Sequence, residues 1–143
     1  MITIKQISPT DTYNLRLEVL KTNKDYIYQY KDDFNIKTIH YGAFLEDVNV
    51  GIVTMMKNKN PLLEGKQIQL RGMAVKPKEQ SKGVGKELVK KVVDVSVEKD
   101  VKILWCNARE HVVDFYKKLG FKIKGKRFYI EHVCYHYLMY KEL

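Results

Sequence analysis

Eight consecutive residues, Glu79-Gln80-Ser81-Lys82-Gly83-Val84-Gly85-Lys86, carry the types from which an anion site is built. They lie between a strand-like run ending at Val75 and a helical pattern that starts at Val84. A helix start presents backbone N–H groups with no intrahelical partner, at the positive end of the helix dipole. Gly83 and Gly85 let the main chain approach a phosphate that a Cβ would hold off, and Lys82 and Lys86 add charge there. Two better-known phosphate loops do not fit. The nucleotide loop G-x-x-x-x-G-K-[S/T] is met only at Gly85-Lys86, which Glu87 follows. The dinucleotide loop G-x-G-x-x-G has Leu88 where its third glycine belongs.

A second feature lies just upstream. Ile68 and Leu70 set one alternation, Met73 and Val75 the opposite one, and the phase changes at Gly72. A glycine at such a switch predicts a β-bulge, which leaves backbone N–H groups free for another partner. Tyr116, in Val112, Phe115, Tyr116, Leu119, reads by spacing alone as part of an amphipathic helix face. His40, His111, His132 and His136 show no metal-ligand spacing, so no metal is expected. Cys106 and Cys134 sit far apart in apolar runs and read as reduced, buried thiols.

The elements that must hold these residues follow from the pattern. Residues 1–7 alternate as a strand, and Ser8-Pro9-Thr10-Asp11 turns into a helix with Leu15, Val19 and Leu20 on its apolar stripe. Residues 22–38 read as a second short helix plus loop. Strands at 40–45 and 50–56 flank hairpin-turn chemistry at Glu46-Asp47-Val48-Asn49. The bulged strand, a helix through about residue 98, a strand at 101–106, a helix stopped by Gly120, and strands at 121–124 and 135–140 complete a single α/β domain over 1–143.

The 143 residues carry a formal charge of +9, with 26 Lys plus Arg against 17 Asp plus Glu. Residues 76–143 hold 16 bases and 9 acids, so +7 of that surplus falls in the second half. Lys76, Lys78, Lys82, Lys86, Lys90 and Lys91 crowd the phosphate-like loop, and a second cluster runs from Lys117 to Arg127. The surplus points to an anionic partner. No apolar run is long enough for a membrane span and the start has no signal-peptide pattern, so a cytoplasmic location is expected.

Two runs together resemble the GNAT superfamily of N-acetyltransferases. Arg71-Gly72-Met73-Ala74-Val75 followed by Gln80-Ser81-Lys82-Gly83-Val84-Gly85 looks like its acetyl-CoA signature, Q/R-x-x-G-x-G/A behind a strand reading M/L-A-V. Asn107-Ala108-Arg109 with Phe115-Tyr116-Lys117-Lys118-Leu119-Gly120-Phe121 resembles its second hallmark, in the right order and at a fitting separation.

The resemblance implies a mixed, mostly antiparallel sheet with a bulged, splayed strand pair and about four flanking helices. It implies acetyl-CoA as cosubstrate: pantetheine against Met73, Ala74 and Val75, pyrophosphate on the N–H groups of Lys82 to Lys86, and Asn107 reaching the pantetheine by its amide. Tyr116 stands at the family's usual general-acid position. The amine acceptor, small molecule or peptide, is not legible. Many relatives place a glutamate base where this chain has Gln69 or Leu70, so Glu131, His136 or water is expected instead. Acceptor contacts are expected from 22–38 and 126–136, where Tyr26, Tyr28, Tyr30, Phe34, Asp32 and Asp33 offer the chemistry to surround a small cationic amine. The competing readings are a non-catalytic acyl-CoA sensor and a basic nucleic-acid-binding module. The expected state is a monomer or homodimer that binds neither nucleic acid nor membrane.

Overall fold

Strand β4 (Gln67–Val75) organises the fold, and the computed structural model describes it within the whole chain, residues 1–143. Its partners are β1 (Thr3–Ile7), β2 (Ile39–Leu45), β3 (Val48–Met56), β5 (Ile103–Arg109), β6 (Lys122–Ile130) and β7 (Cys134–Glu142). They form one seven-stranded sheet in the order β1-β2-β3-β4-β5-β7-β6. Only β4 and β5 run parallel; every other pairing is antiparallel.

The phase switch in β4 is a bulge. Ile52 pairs with Ala74, but two residues on, Thr54 pairs with Arg71, so Gly72 and Met73 together stand opposite Val53. Gly72 takes φ +60°, a left-handed value that a side chain disfavours. The consequence for packing is as the alternation predicts: Ile68 and Leu70 before the bulge and Val75 after it join one core, while Ala74 joins Leu15 and Ile52 on the opposite face.

The parallel contact between β4 and β5 is short. It runs from Gln67 opposite Ile103 to Gln69 opposite Trp105 and stops. Beyond that point β4 follows β3 while β5 stays with β7 as far as Arg109 opposite His136. The two strands diverge, and a cleft opens between them.

Helix α1 (Tyr13–Leu15) is entered through a 3-10 turn (Pro9–Thr12) and leaves through a π turn (Arg16–Leu20) on one face of the sheet. Helix α2 (Val84–Glu98) and the short α3 (Val113–Lys118) lie on the other. Val84, Leu88, Val92 and Val95 of α2 are buried at helical spacing and meet Leu104, Cys106, Tyr116 and Met139 in the main core. The second short helix expected within 22–38 does not form: the segment is a series of turns. It is held by a residue that the helical stripe left out. Arg16 is fully buried and binds Asp33 with both ends of its guanidinium, Nη1 to Oδ2 at 2.6 Å and Nη2 to Oδ1 at 3.0 Å. Cys106 is buried as expected, whereas Cys134 is only half-buried; both are free thiols.

Candidate active site

The cleft between β4 and β5 widens into a cavity of about 820 Å3, closed at one end by the loop into α2. Met73, Ala74, Val75, Gln80, Ser81, Gly83, Gly85, Lys86, Asn107 and Tyr116 all reach its wall. Lys82 and Val84, expected to contribute main-chain N–H groups, turn their side chains elsewhere. Val84 turns its side chain into the core at 1% exposure, and Lys82 points to solvent, paired with Glu79 at 3.4 Å.

The loop is shaped for an anion. Ser81 (φ +66°) and Gly83 (φ +88°) both adopt left-handed conformations, and Gly83 is the N-cap of α2. Val84, Gly85 and Lys86 then occupy the first helical turn, whose N–H groups have no carbonyl four residues back within the helix. Gln80 has a different task from the one its place in the motif suggests. Its Nε2 donates to the Val75 carbonyl at 2.9 Å, which ties the loop to the end of the bulged strand.

Tyr116 sits where α3 meets the cleft. Its ring meets Phe115 and Phe121 edge-on, at centroid distances of 5.1 and 5.3 Å. Burial, with a smaller contribution from neighbouring Cys106, holds the phenol well above the ordinary tyrosine range, so it remains a proton donor throughout the working pH range.

Of the two candidate bases, the structure sets them apart. Glu131 is 85% exposed on the β6–β7 turn, 3.7 Å from His132. His136 is buried on the cavity wall, and its Nδ1 donates to the Cys134 carbonyl at 2.7 Å. That bond fixes the tautomer and leaves Nε2 as the lone-pair nitrogen. Burial first, then the charges of Arg109 and His111, lower its pKa, so the ring is neutral at pH 7. Gln69, at the position where a strand glutamate would serve, is buried and accepts from Asn58 Nδ2 at 2.9 Å.

The far end of the cavity departs from expectation. Tyr26 and Tyr30 line it, but Tyr28, Asp32, Asp33 and Phe34 do not. Asp33 is consumed by Arg16, Tyr28 stacks edge-on against Tyr13, and Phe34 is 70% exposed to solvent, so the acidic surround for a cationic amine is not assembled. Instead the Tyr26 and Tyr30 hydroxyls share a hydrogen bond of 2.9 Å, and the Tyr30 ring is flanked by two guanidinium groups, Arg16 at 3.7 Å and Arg71 at 4.0 Å. Asn58, Trp105 and Arg109 complete this end. Tyr26 and Tyr30 are among the expected acceptor contacts and Arg71 and Arg109 stand within the two family-like runs, whereas Arg16, Asn58 and Trp105 carry no local signal that would mark them for this site. No group of three or more His, Cys, Asp or Glu side chains converges to hold a metal ion, and no helix is long and apolar enough to cross a membrane.

Comparison with known proteins agrees with this geometry. The acetyltransferase (GNAT) family model matches residues 7–121. The chain is 34% identical over 145 aligned residues to the uncharacterized N-acetyltransferase YitI of Bacillus subtilis (strain 168), covering all of this chain and 97% of that one. The crystal structure of Escherichia coli ElaA superposes with a TM-score of 0.79 at 18% identity, covering 99% of this chain and 100% of that one. A GNAT family acetyltransferase from Elizabethkingia anophelis, solved with acetyl-CoA bound, gives a TM-score of 0.72 at 20% identity over 99% and 98% of the two chains. The family match over most of the chain, with a splayed strand pair and the start of α2 facing one cavity, places this protein in the GNAT family as an acetyl-CoA-dependent N-acetyltransferase.

Proposed function

We propose that the protein transfers the acetyl group of acetyl-CoA directly to a primary amine, with Tyr116 as general acid and His136 as the proton acceptor for the amine. The observation that carries this reading is that one cavity is lined by the α2 start, the unpaired stretch of β4, Tyr116 and neutral His136. Gly83, Val84, Gly85 and Lys86 offer main-chain N–H groups, and Lys86 a charge, for the pyrophosphate of the cosubstrate. Met73, Ala74 and Val75 border the diverging edge of β4, so their peptide groups can pair with the pantetheine arm as an added strand would. Asn107, on the facing strand, supplies an amide from the other side.

An alkylammonium of pKa about 10.4 is almost wholly protonated at pH 7, so a proton must leave before attack. His136 Nε2 takes it and passes it to solvent. The amine nitrogen then bonds to the thioester carbon, and an N–H at the Gly72–Met73 bulge stabilises the oxyanion. Collapse breaks the C–S bond as the amine gives its second proton to His136 Nε2, free again after passing the first to solvent. The Tyr116 hydroxyl protonates the departing thiolate and recovers its proton from water. The products are the amide and CoA thiol.

The test is release of free thiol from acetyl-CoA on addition of a panel of amines, with binding of CoA measured separately by calorimetry. Amine-dependent thiol release supports the reading. Tight CoA binding with no thiol release from any amine points to an acyl-CoA sensor and overturns it.

A further inference from the structure

The acceptor end of the cavity carries charge that the acetyl-transfer reading leaves unused. Arg71 lies on β4 just before the bulge, on the side away from the α2 loop, and Arg109 lies at the end of β5. Both line the cavity, and neither has a carboxylate partner. Each is held by an aromatic ring instead. Arg71 stacks at 4.0 Å from the Tyr30 centroid, and Arg109 lies 5.8 Å from that of Tyr26 while its Nη2 donates to the Leu20 carbonyl at 2.7 Å. The tyrosines are joined through their hydroxyls, giving a continuous row Arg71–Tyr30–Tyr26–Arg109 along one wall. Burial and the neighbouring Tyr30 raise the Tyr26 phenol far above its ordinary range, so the row holds two positive charges and no negative one.

Two carboxylates share the cavity, and neither is within ion-pair distance of Arg71 or Arg109. Asp25 and Glu131 are 54% and 85% exposed, and both sit beside His132, at 3.8 and 3.7 Å. Arg16 differs from Arg71 and Arg109 in having both Nη groups bonded, to Asp33, Thr54 and the Tyr28 carbonyl, with only its Nε left without a partner. Two guanidinium groups, Arg71 placed by the Tyr30 ring and Arg109 by the Leu20 carbonyl, line the cavity without an ion-pair partner and suit a planar anion.

We propose that the natural acceptor bears a carboxylate beside its amine, as an amino acid or related amino-carboxylate does, and that the guanidinium charge of Arg71 and Arg109 at this end of the cavity recognises that carboxylate. The proposal rests on the acetyl-transfer reading for the use of the site, but its recognition step can be read without turnover. The Tyr26 and Tyr30 rings, with Trp105 and Ile130 lining the same cavity, give the rest of such an acceptor an apolar wall. A polyamine would meet two like charges here and be disfavoured.

The experiment is calorimetric titration of the CoA-loaded protein with four product-like probes: N-acetylglycine, N-acetylphenylalanine and their two carboxamides. At least one carboxylate should bind ~10-fold or more tightly than its amide, the difference expected for a charge-assisted fork. Arg71→Gln and Arg109→Gln should each remove most of that difference, and Arg71→Lys should restore part of it. Unaltered CoA affinity reports that each variant has folded. Equal affinity for acid and amide, absence of binding by all four, or a preference that survives both substitutions overturns the proposal. Discrimination without amine-dependent thiol release would leave carboxylate recognition standing and remove acetyl transfer.

Discussion

Replacing Tyr116 with phenylalanine separates chemistry from packing more cleanly than any other change in the cavity. The ring belongs to the main core and touches Phe115 and Phe121, contacts that phenylalanine keeps. Neither a hydrogen bond nor an ion pair is among the influences on the hydroxyl, which are burial and Cys106, so its loss breaks no protein interaction. Stability should therefore change by less than about 1 kcal/mol, a shift of only a few degrees in Tm at this chain length. A general acid contributes about 10²–10⁴ in rate, so kcat should fall by about 3–5 kcal/mol of transition-state stabilisation. The KM for acetyl-CoA should stay within about twofold. Steady-state thiol release at saturating amine gives kcat, and thermal melts give the stability. A pH series adds an independent reading. The folded phenol titrates above the unfolded value of 10.0, so its stabilising effect is complete below pH 10 and is lost as pH rises beyond it. The variant should lack this alkaline loss, worth up to about 1.4 kcal/mol per pH unit. An unchanged kcat, or a fall in kcat matched by lost CoA affinity, would remove Tyr116 from the mechanism.

Three further outcomes follow from other parts of the structure. His40 and His136 are both buried with lowered pKa values, so the stability they contribute is complete above pH 6.5 and lost as pH falls through their folded values. Denaturant midpoints between pH 7.5 and 5 should fall, and His40→Gln should reduce the slope; a flat profile contradicts the neutral assignment. Asp33→Asn leaves the Arg16 guanidinium buried without its counter-charge and should cost about 3–5 kcal/mol, measured by urea unfolding. Gly72→Ala would place a Cβ 2.9 Å from Tyr30 Cε2 at φ +60°. It should cost about 1–3 kcal/mol and lower kcat/KM with little change in CoA affinity; an unaffected rate would mean that the bulge does not shape the site.

The elements at the proposed cosubstrate end are legible because each is signalled locally. The parity change across Gly72 and the Gly83-Val84-Gly85 run before an apolar helical stripe are both patterns of adjacent residues. The acceptor end is not, since it depends on a contact between residues 17 positions apart. Arg16 sits in a helix whose stripe is otherwise apolar, and its burial becomes possible only when Asp33 arrives from a segment with no regular structure. Propensity favoured a short helix in 22–38. A buried charge pair and the demands of Tyr30 for a place beside the bulge outweighed it.

That same pairing links fold to site. Arg16 Nη2 donates to Thr54 Oγ1, whose hydroxyl can donate to His40 Nδ1, and His40 Nε2 donates to the Asp33 carbonyl. The circuit closes only with His40 neutral, in agreement with its lowered pKa. Thr54 pairs with Arg71 across the bulge, and the Arg16 guanidinium lies against the Tyr30 ring whose other contact is Arg71. An arginine anchored in the interior through both Nη groups thereby fixes the aromatic surface on which Arg71 is displayed. On the proposed reading, the basic surplus of the chain has two separate uses near the cleft. Lys86 faces the phosphate end, and Arg71 with Arg109 faces the opposite end, where no phosphate of the cosubstrate is expected. Of the +9 formal charge, it is these few residues, fixed by backbone and ring, that can select a ligand; a lysine such as Lys82, 60% exposed on a flexible stem, can only attract one.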